Sequence, residues 1–206
     1  MKKPAANSPI WEWDASQGHI SELGEEHTGT TNTLSYTANG IYLKSAKQSN
    51  SNIGVTIANS VRTLFSQCSE TLIEYSFVDA NLTGTYNSNT GGTTSIVFWF
   101  FNPWETGRNR MEWRVVSQSI MAYRTTGSSY TQFNTNLGGT SGKIGISYNN
   151  DTHLYRVYLN DGLIYTESNA YRSGSATRTD MVRASSNNAN INSPSIVISH
   201  IKITGA

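Results

Sequence analysis

The chain has 206 residues, of which 15 are basic and 14 acidic, for a formal net charge of +1. This length fits one domain of moderate size, and the near-neutral charge argues against a nucleic acid partner. No run of 18 apolar residues is present, which argues against membrane insertion. The 27 Ser, 24 Thr, 21 Asn and 17 Gly residues, with β-branched and aromatic runs between them, predict an all-β protein.

The start of the chain differs in composition from the remainder. Residues 1–10 are polar and carry two prolines, and we expect a flexible lead-in or linker before a single domain over residues 11–206. No apolar segment follows the basic Lys2 and Lys3, so no signal peptide is predicted. Trp11 and Trp13 flank Glu12, which predicts a short strand with both indoles on one face.

Alternating apolar residues predict the strands of the first half. Ile41 and Leu43 share one strand face, and residues 71–78 alternate in the same way. Residues 80–94 are rich in Gly, Asn and Thr and predict a loop. Residues 95–101 are apolar on both faces, which is typical of a central strand covered on both sides or of a strand whose outer face binds a ligand. Three further runs predict strands: residues 53–57, 110–115 and 144–148.

A β-hairpin is the clearest local prediction. Residues 155–159 and 163–165 are alternating runs, and Asn160-Asp161-Gly162 between them is a strong turn signal. Residues 166–195 form a long polar stretch that we expect to be a loop, and residues 196–203 form a final strand. A dozen or so strands and no convincing helix predict a two-sheet antiparallel β-sandwich of jelly-roll type. Its core is expected to contain Ile73, Tyr75, Phe77, Trp113, Ile146, Val157, Leu159 and Ile201.

Three stretches carry a family resemblance: residues 39–43, residues 72–77 and the hairpin region of residues 142–165. Together with the closing strand they resemble the concanavalin A-like lectin/glucanase fold, which includes laminin-G-like modules. The tryptophan that commonly precedes the hairpin in such modules is replaced here by residues 139–141, Gly-Thr-Ser. The family contains lectins, glycosidases, lyases and adhesion modules, so the resemblance implies a fold more than a function. The composition is also similar to that of phage tail-fibre proteins, which implies a virion or extracellular surface.

The first candidate site follows the aromatic strand. Sugars stack on aromatic rings and bond to polar groups, so a glycan site needs both. Asn102, Trp104 and Glu105 provide this combination in a polar loop and are predicted to bind a glycan. The alternative is that Trp104 folds back over the core. We expect Trp99 and Trp113 to pack in the core.

The second candidate site is the strand of residues 110–115. Arg110, Glu112 and Arg114 alternate and are expected to project from the outer face about 7 Å apart. The row resembles the R-x-E-x-R strand of alginate-lyase-like jelly rolls, and this resemblance implies that the residues bind an acidic polysaccharide. The other lyase elements are missing, so no catalysis is predicted from them. The alternative is an exposed ladder of ion pairs with little effect on stability.

The third candidate site is the long polar stretch. Arg156, Arg172, Arg178 and Arg183 form a basic set, the last three in this stretch with Tyr171, and the stretch could receive an anionic glycan or a neighbouring subunit. The alternative is a solvated loop.

Calcium binding is left open by the sequence. Asn149-Asn150-Asp151 and Asn160-Asp161 offer oxygen ligands on turns, although Asn and Asp also occur in turns for backbone reasons. The histidines have no metal-ligand spacing.

These features predict a non-catalytic carbohydrate-binding or receptor-binding module of a phage tail or adhesion apparatus. One alternative is a polysaccharide lyase or glycoside hydrolase of the same fold, although the glucanase pattern Glu-x-Asp-x-x-Glu is absent. Another is a structural virion module whose exposed aromatic residues pack between subunits of a homo-oligomer.

Overall fold

The computed structural model describes residues 9–47, 50–65, 67–101, 110–124, 129–168, 180–187 and 193–206. The described strands form two antiparallel sheets, which confirms the predicted β-sandwich. In the eight-stranded sheet the order is β13-β12-β11-β6-β15-β4-β3, and β1 also pairs with β15. Its strands are β1 (Pro9–Asp14), β3 (Thr33–Thr37), β4 (Gly40–Lys44), β6 (Glu70–Asn81), β11 (Gly142–Asn149), β12 (Leu154–Leu159), β13 (Gly162–Ser168) and β15 (Ser195–Gly205).

The second sheet has seven strands in the order β10-β9-β8-β7-β14-β5-β2. One face of it packs against the eight-stranded sheet, and the opposite face is called the outer face below. Its strands are β2 (Leu23–Thr28), β5 (Ser51–Ile57), β7 (Thr94–Phe101), β8 (Arg110–Val115), β9 (Ile120–Arg124), β10 (Thr131–Asn134) and β14 (Asp180–Ser186).

The hydrophobic core lies between the two sheets, where the apolar side chains on the inner face of one sheet pack against those of the other. All eight residues that were predicted for the core are buried there, none more than 8% exposed. Trp113 packs among aromatic rings that include Tyr123, stacked at 5.0 Å between ring centroids, and Tyr165 at 5.3 Å. The core prediction is therefore confirmed.

The predicted hairpin joins β12 to β13. Asn160 and Asp161 have φ angles of 49° and 68°, and Leu159 pairs with Gly162. Two consecutive residues with positive φ are the mark of the tight turn that suits the twist of antiparallel strands. Asn160 Oδ1 also accepts a hydrogen bond from the Lys143 backbone N–H at 2.9 Å, which ties the turn to β11.

Three features differ from the sequence predictions. A short helix, α1 (Asn59–Phe65), follows β5. The predicted loop of residues 166–195 contains β14, which lies between β7 and β5 in the middle of its sheet. Pro9 and Ile10, which were expected in the lead-in, belong to β1, where Pro9 pairs with Thr204; the domain bounds stay a prediction.

Residues 83–93, here called the cover loop, lie over part of the outer face. Gly84 donates its N–H to the Val116 carbonyl at 3.0 Å, and Asn187 donates its backbone N–H to the Thr93 carbonyl at 2.8 Å. Tyr86 packs beside a small buried cluster of Val116, Ala122 and Tyr130. The loop that the composition predicted is thus fixed at both ends to the seven-stranded sheet.

Candidate functional site

A row of five paired residues, three of them charged, crosses the outer face of the seven-stranded sheet. Glu26, Gly54, Arg183, Val97 and Arg114 lie opposite one another on the consecutive strands β2, β5, β14, β7 and β8. Directly paired residues project to the same side of a sheet. The two arginines of this row differ in their surroundings and define two clusters.

The Glu112 cluster consists of Glu112, Arg114, Tyr130 and Ser95. Glu112 Oε1 accepts hydrogen bonds from Arg114 Nε at 2.9 Å, from Arg114 Nη2 at 2.6 Å and from the Tyr130 hydroxyl at 2.6 Å. Arg114 Nη1 donates to Ser95 Oγ at 3.2 Å, and its guanidinium lies 4.7 Å from the Tyr130 ring centroid. Glu112 is 1% exposed and Arg114 is 7% exposed, so the cluster is a buried ion-pair network.

The cover loop explains this burial. A Cβ placed on Gly91 would lie 2.5 Å from Arg114 Cδ and 2.8 Å from Tyr130 Cδ1, so the loop backbone is in direct contact with both side chains. Gly91 has a φ angle of 76°, which glycine adopts without strain. The Tyr130 N–H donates to the Ser88 carbonyl, and the Tyr86 hydroxyl donates to the Tyr130 carbonyl, both at 2.7 Å.

Arg114 stays charged in this environment. Burial by itself lowers the pKa of its guanidinium, but the Glu112 carboxylate and the Tyr130 hydroxyl more than offset this, and the pKa lies above its ordinary value. The guanidinium is therefore a permanent cation whose donors already serve internal partners.

The Arg183 cluster consists of Arg183, Trp99 and Glu26. The Arg183 guanidinium lies over the Trp99 indole, 4.6 Å from the ring centroid, in a cation–π contact. Arg183 Nη1 is 3.6 Å from Glu26 Oε1, with the side chains 12% and 32% exposed. Trp99 itself is fully buried, and its carbonyl accepts a hydrogen bond from the Tyr75 hydroxyl at 2.9 Å. The two charged side chains of this cluster are more exposed than those of Arg114 and Glu112.

The structure places some of the predicted site residues and not others. Glu112 and Arg114 project from the outer face as predicted. The alternative of an exposed ladder is wrong for this pair, because the cover loop and Tyr130 bury them, and their binding of a glycan stays a prediction. Arg110 is the first residue of β8. The other predicted ligand-binding residues lie outside the described residues: Asn102, Trp104, Glu105, Tyr171 and Arg172.

Sequence reasoning named Arg183 and Trp99 separately and did not bring them together in one cluster. Arg183 was expected in a loop but lies on β14, and Glu26 was not considered. Trp99 is buried as predicted, yet it lies on the outer face and not between the sheets, since it pairs with Glu112. The apolar pattern of residues 95–101 carried this information, because it indicated a strand covered on both sides.

No cluster suited to a metal ion is found in the described part of the chain, where no group of three or more His, Cys, Asp or Glu side chains is close enough. In the predicted calcium turns, Asn149 Oδ1 accepts hydrogen bonds from the Thr152 N–H at 2.9 Å and from its hydroxyl at 2.8 Å. Asn160 likewise bonds to Lys143. These contacts account for both asparagines as turn residues, and calcium binding stays a prediction.

The two carboxylates of the two clusters are far apart. Glu26 and Glu112 lie on strands separated by four steps across the sheet, which at about 4.8 Å per step is about 19 Å. Glycosidases hold their two carboxyl groups about 5–10 Å apart. This pair therefore does not have the geometry of glycoside hydrolysis.

Comparisons with known proteins agree at the level of the fold. No protein-family model and no curated protein sequence matches the chain. The carbohydrate recognition domain of Emp47p superposes with a TM-score of 0.59 at 11% identity and covers 100% of both chains. The chain has the concanavalin A-like jelly-roll fold. An endo-β-1,4-glucuronan lyase from the fungus Trichoderma reesei (TM-score 0.57, 8% identity, 97% of this chain and 96% of that one) shares it. So does the Bacillus licheniformis β-glucanase (TM-score 0.57, 10% identity, 95% and 98%).

The fold resemblance that the sequence predicted is thus confirmed. The three matched structures are a carbohydrate recognition domain, a glucuronan lyase and a β-glucanase. Separately, no helix in the described ranges is long and apolar enough to cross a membrane.

Proposed function

We propose that the chain is a non-catalytic carbohydrate-binding module and that the Arg183 cluster is part of its binding site. The observation that carries this proposal is the placement of Arg183, whose guanidinium lies over the Trp99 ring and is partly exposed on the outer face. A cation held on an aromatic ring has lost much of its rotamer freedom before a ligand arrives, which lowers the entropic cost of binding. Guanidinium donors and the Glu26 carboxylate together complement the hydroxyl groups of a sugar.

The geometry favours binding over cleavage. Both carboxylates of the two clusters pair with arginines, and their separation is unsuited to hydrolysis. Glu112 Oε1 already accepts three hydrogen bonds, so it is poorly placed to exchange a proton with a sugar. A lyase or glycosidase of the same fold is the alternative, and product formation tests it.

The biological setting that we propose is a phage tail or another surface-recognition apparatus at a virion or extracellular surface. Its support is compositional: the high content of Ser, Thr, Asn and Gly. A homo-oligomer fits such a setting, and sedimentation of the purified chain tests it.

A glycan array tests the binding proposal with a matched pair of variants. Arg183→Met removes the guanidinium of the outer face. Arg156→Met is the control, because Arg156 lies on β12 of the other sheet and makes a similar partly buried pair with Glu70 at 2.8 Å. We expect Arg183→Met to reduce binding at least tenfold and Arg156→Met to leave it unchanged, with similar Tm values for both.

Two results would contradict the proposal. Equal glycan binding by the Arg183→Met variant would remove Arg183 from the site. Release of reducing ends or of unsaturated uronate from any glycan of the array would favour the enzymatic alternative.

The loop site predicted from the sequence has its own test. Trp104→Ala is expected to weaken glycan binding about tenfold, since a stacking contact contributes about 1–2 kcal/mol. The Tm should change little. A large fall in Tm would instead indicate that Trp104 packs against the core.

A further inference from the structure

We propose that Asn52 determines which sugar the outer face binds, because its side-chain amide bonds to two adjacent hydroxyl groups of one sugar ring. This inference rests on the proposed function: it names a further residue of the same face and the class of sugar unit that this residue takes, one with a free vicinal diol. It follows from a row of polar side chains that lies beside the Arg183 cluster.

The polar row consists of Thr28, Asn52, Ser185 and Ser95, which lie opposite one another on β2, β5, β14 and β7. Ser185 and Arg183 are two residues apart on β14, so their side chains project to the same side of the sheet. Asn52 pairs directly with Ser185, which places it on a diagonal of about 7–8 Å from Arg183. A sugar that contacts the Arg183 cluster therefore lies within reach of Asn52.

The side-chain amide of Asn52 makes no hydrogen bond within the described part of the chain. The residue is partly exposed, and outside the sheet ladder only its backbone carbonyl is bonded, as acceptor from Asn32 Nδ2 at 2.8 Å. The Ser185 hydroxyl also has no partner among the described residues, although Ser185 is only 3% exposed. A shielded polar group without a partner lowers stability, and a ligand that supplies the partner offsets this loss.

The residue type at position 52 also opposes the strand that contains it. β5 lies between β14 and the edge strand β2, and Asn52 shares its outer face with Gly54 and Thr56. Asn is depleted in strands, since its side chain competes with the backbone for hydrogen bonds, whereas β-branched residues favour strands. Real proteins break such local rules mainly at functional sites. The presence of Asn52 here therefore indicates binding and not a contribution to folding.

The chemistry of the carboxamide sets the class of sugar. Its oxygen accepts hydrogen bonds and its nitrogen donates them, side by side on one planar group. Two vicinal hydroxyl groups in a gauche arrangement present a donor and an acceptor side by side and match it. A sugar whose hydroxyl groups are methylated offers no donor. Asn52 therefore takes an uncharged diol.

The first experiment measures glycan binding and Tm of Asn52→Val on the array described above. We expect binding to fall about five- to tenfold, as for the loss of one or two hydrogen bonds. The Tm should stay equal or rise, because a β-branched residue replaces an unbonded amide. Asn134→Val is the matched control: Asn134 lies on β10, at the opposite edge of the same sheet, where it accepts from Gln132 Nε2 at 2.9 Å. It should leave binding unchanged.

The second experiment observes the amide directly by nuclear magnetic resonance. The isotope-labelled whole chain is titrated with the methyl glycosides of mannose, galactose, glucose and N-acetylglucosamine, and with their permethylated forms, which keep the ring and remove the hydroxyl donors. We expect at least one methyl glycoside to shift the side-chain NH₂ signal of Asn52, which Asn52→Val identifies by its absence. The permethylated form should leave this signal in place, and the Asn134 signal should not move with either.

The remaining outcomes overturn the inference and separate it from the proposed function. Unchanged array binding by Asn52→Val overturns the inference and leaves the proposed function intact, provided that Arg183→Met still weakens binding. An Asn52 signal that no methyl glycoside shifts also overturns it, and a lowered Tm of Asn52→Val then identifies a structural side chain. Equal shifts with the permethylated sugars overturn the diol assignment. No binding to any glycan overturns both proposals.

Discussion

Two arginine–carboxylate pairs on the same face of the same sheet behave differently. Arg114 and Glu112 are enclosed by the cover loop and Tyr130, and their hydrogen bonds are short. Arg183 and Glu26 lie two and four strands away, and their pair is partly exposed, with 3.6 Å between Arg183 Nη1 and Glu26 Oε1. The same two residue types therefore occur on one face in a buried setting and in a partly exposed one. For Arg114 and Glu112 the cover loop and Tyr130 provide the burial.

The largest effect is expected from breaking the buried pair. Glu112→Ala leaves the Arg114 guanidinium buried without its carboxylate, which should reduce the free energy of unfolding by about 3–5 kcal/mol. Glu26→Ala should change it by less than about 1 kcal/mol. Urea denaturation of the two variants measures both, and similar losses would contradict the distinction between the pairs.

The contact between the cover loop and Arg114 can be measured with two glycines. Gly91 and Gly138 both have φ angles of 76°, but only Gly91 has atoms within 4 Å of a Cβ placed on it. Alanine at either position meets the same backbone strain of about 1–2 kcal/mol. Gly91→Ala should cost about 1–3 kcal/mol more, because it overpacks Arg114 and Tyr130. Equal losses of stability would show that the loop does not press on the cluster.

A double-mutant cycle at Arg183 and Glu26 gives a smaller effect. We expect a coupling energy below about 1 kcal/mol that falls further at high salt, since exposed charges are screened. The same cycle at Arg114 and Glu112 should give a larger coupling that salt changes little. A salt-independent coupling at Arg183 would indicate a buried pair there as well.

The smallest effect concerns an exposed carboxylate that no arginine holds. Hydrogen bonds from the Ser16 side chain and backbone lower the pKa of Asp14 below its ordinary value of 3.8. Its contribution to stability is therefore present above pH 3.8 and is lost as the pH falls through the lower folded-state value. Asp14→Asn should slightly lower the Tm near neutral pH, and this difference from the unchanged chain should disappear in acid, so the fall of Tm with falling pH becomes slightly flatter. An unaltered acid limb would show that Ser16 does not stabilise the ionised form.

The strands and the core were predictable because alternation is local. Along the run from Ile73 to Phe77, the polarity of each residue shows which face of the strand it occupies. The turn at Asn160 and Asp161 likewise depends only on the backbone preferences of those two residues. β14 was missed because its polar residues match polar partners: Ser185 lies beside Asn52 and Ser95 in the middle of the sheet. Alternation therefore gave no strong signal there.

The candidate site was predictable only in part. Alternation along residues 110–115 correctly placed Glu112 and Arg114 on the outer face. Their burial depends on Gly91 and Tyr130, which are distant in the chain, and no pattern within the strand contains that information. Arg183 was named in the basic set of the polar stretch, but its contact with Trp99 was not predictable, because that contact depends on β14 lying beside β7.

The position of β15 has a consequence for how the protein folds. This strand pairs with β4, β6 and β1, so Trp11 meets Ile203 and Ile73 meets the same residue from the other side. Until β15 arrives, β6 has an unpaired edge and β1 has no partner in the sheet. Such long-range pairing slows folding and exposes strand edges during synthesis. We therefore expect refolding on a timescale of about milliseconds to seconds, with a need for protection against aggregation until the last strand is in place.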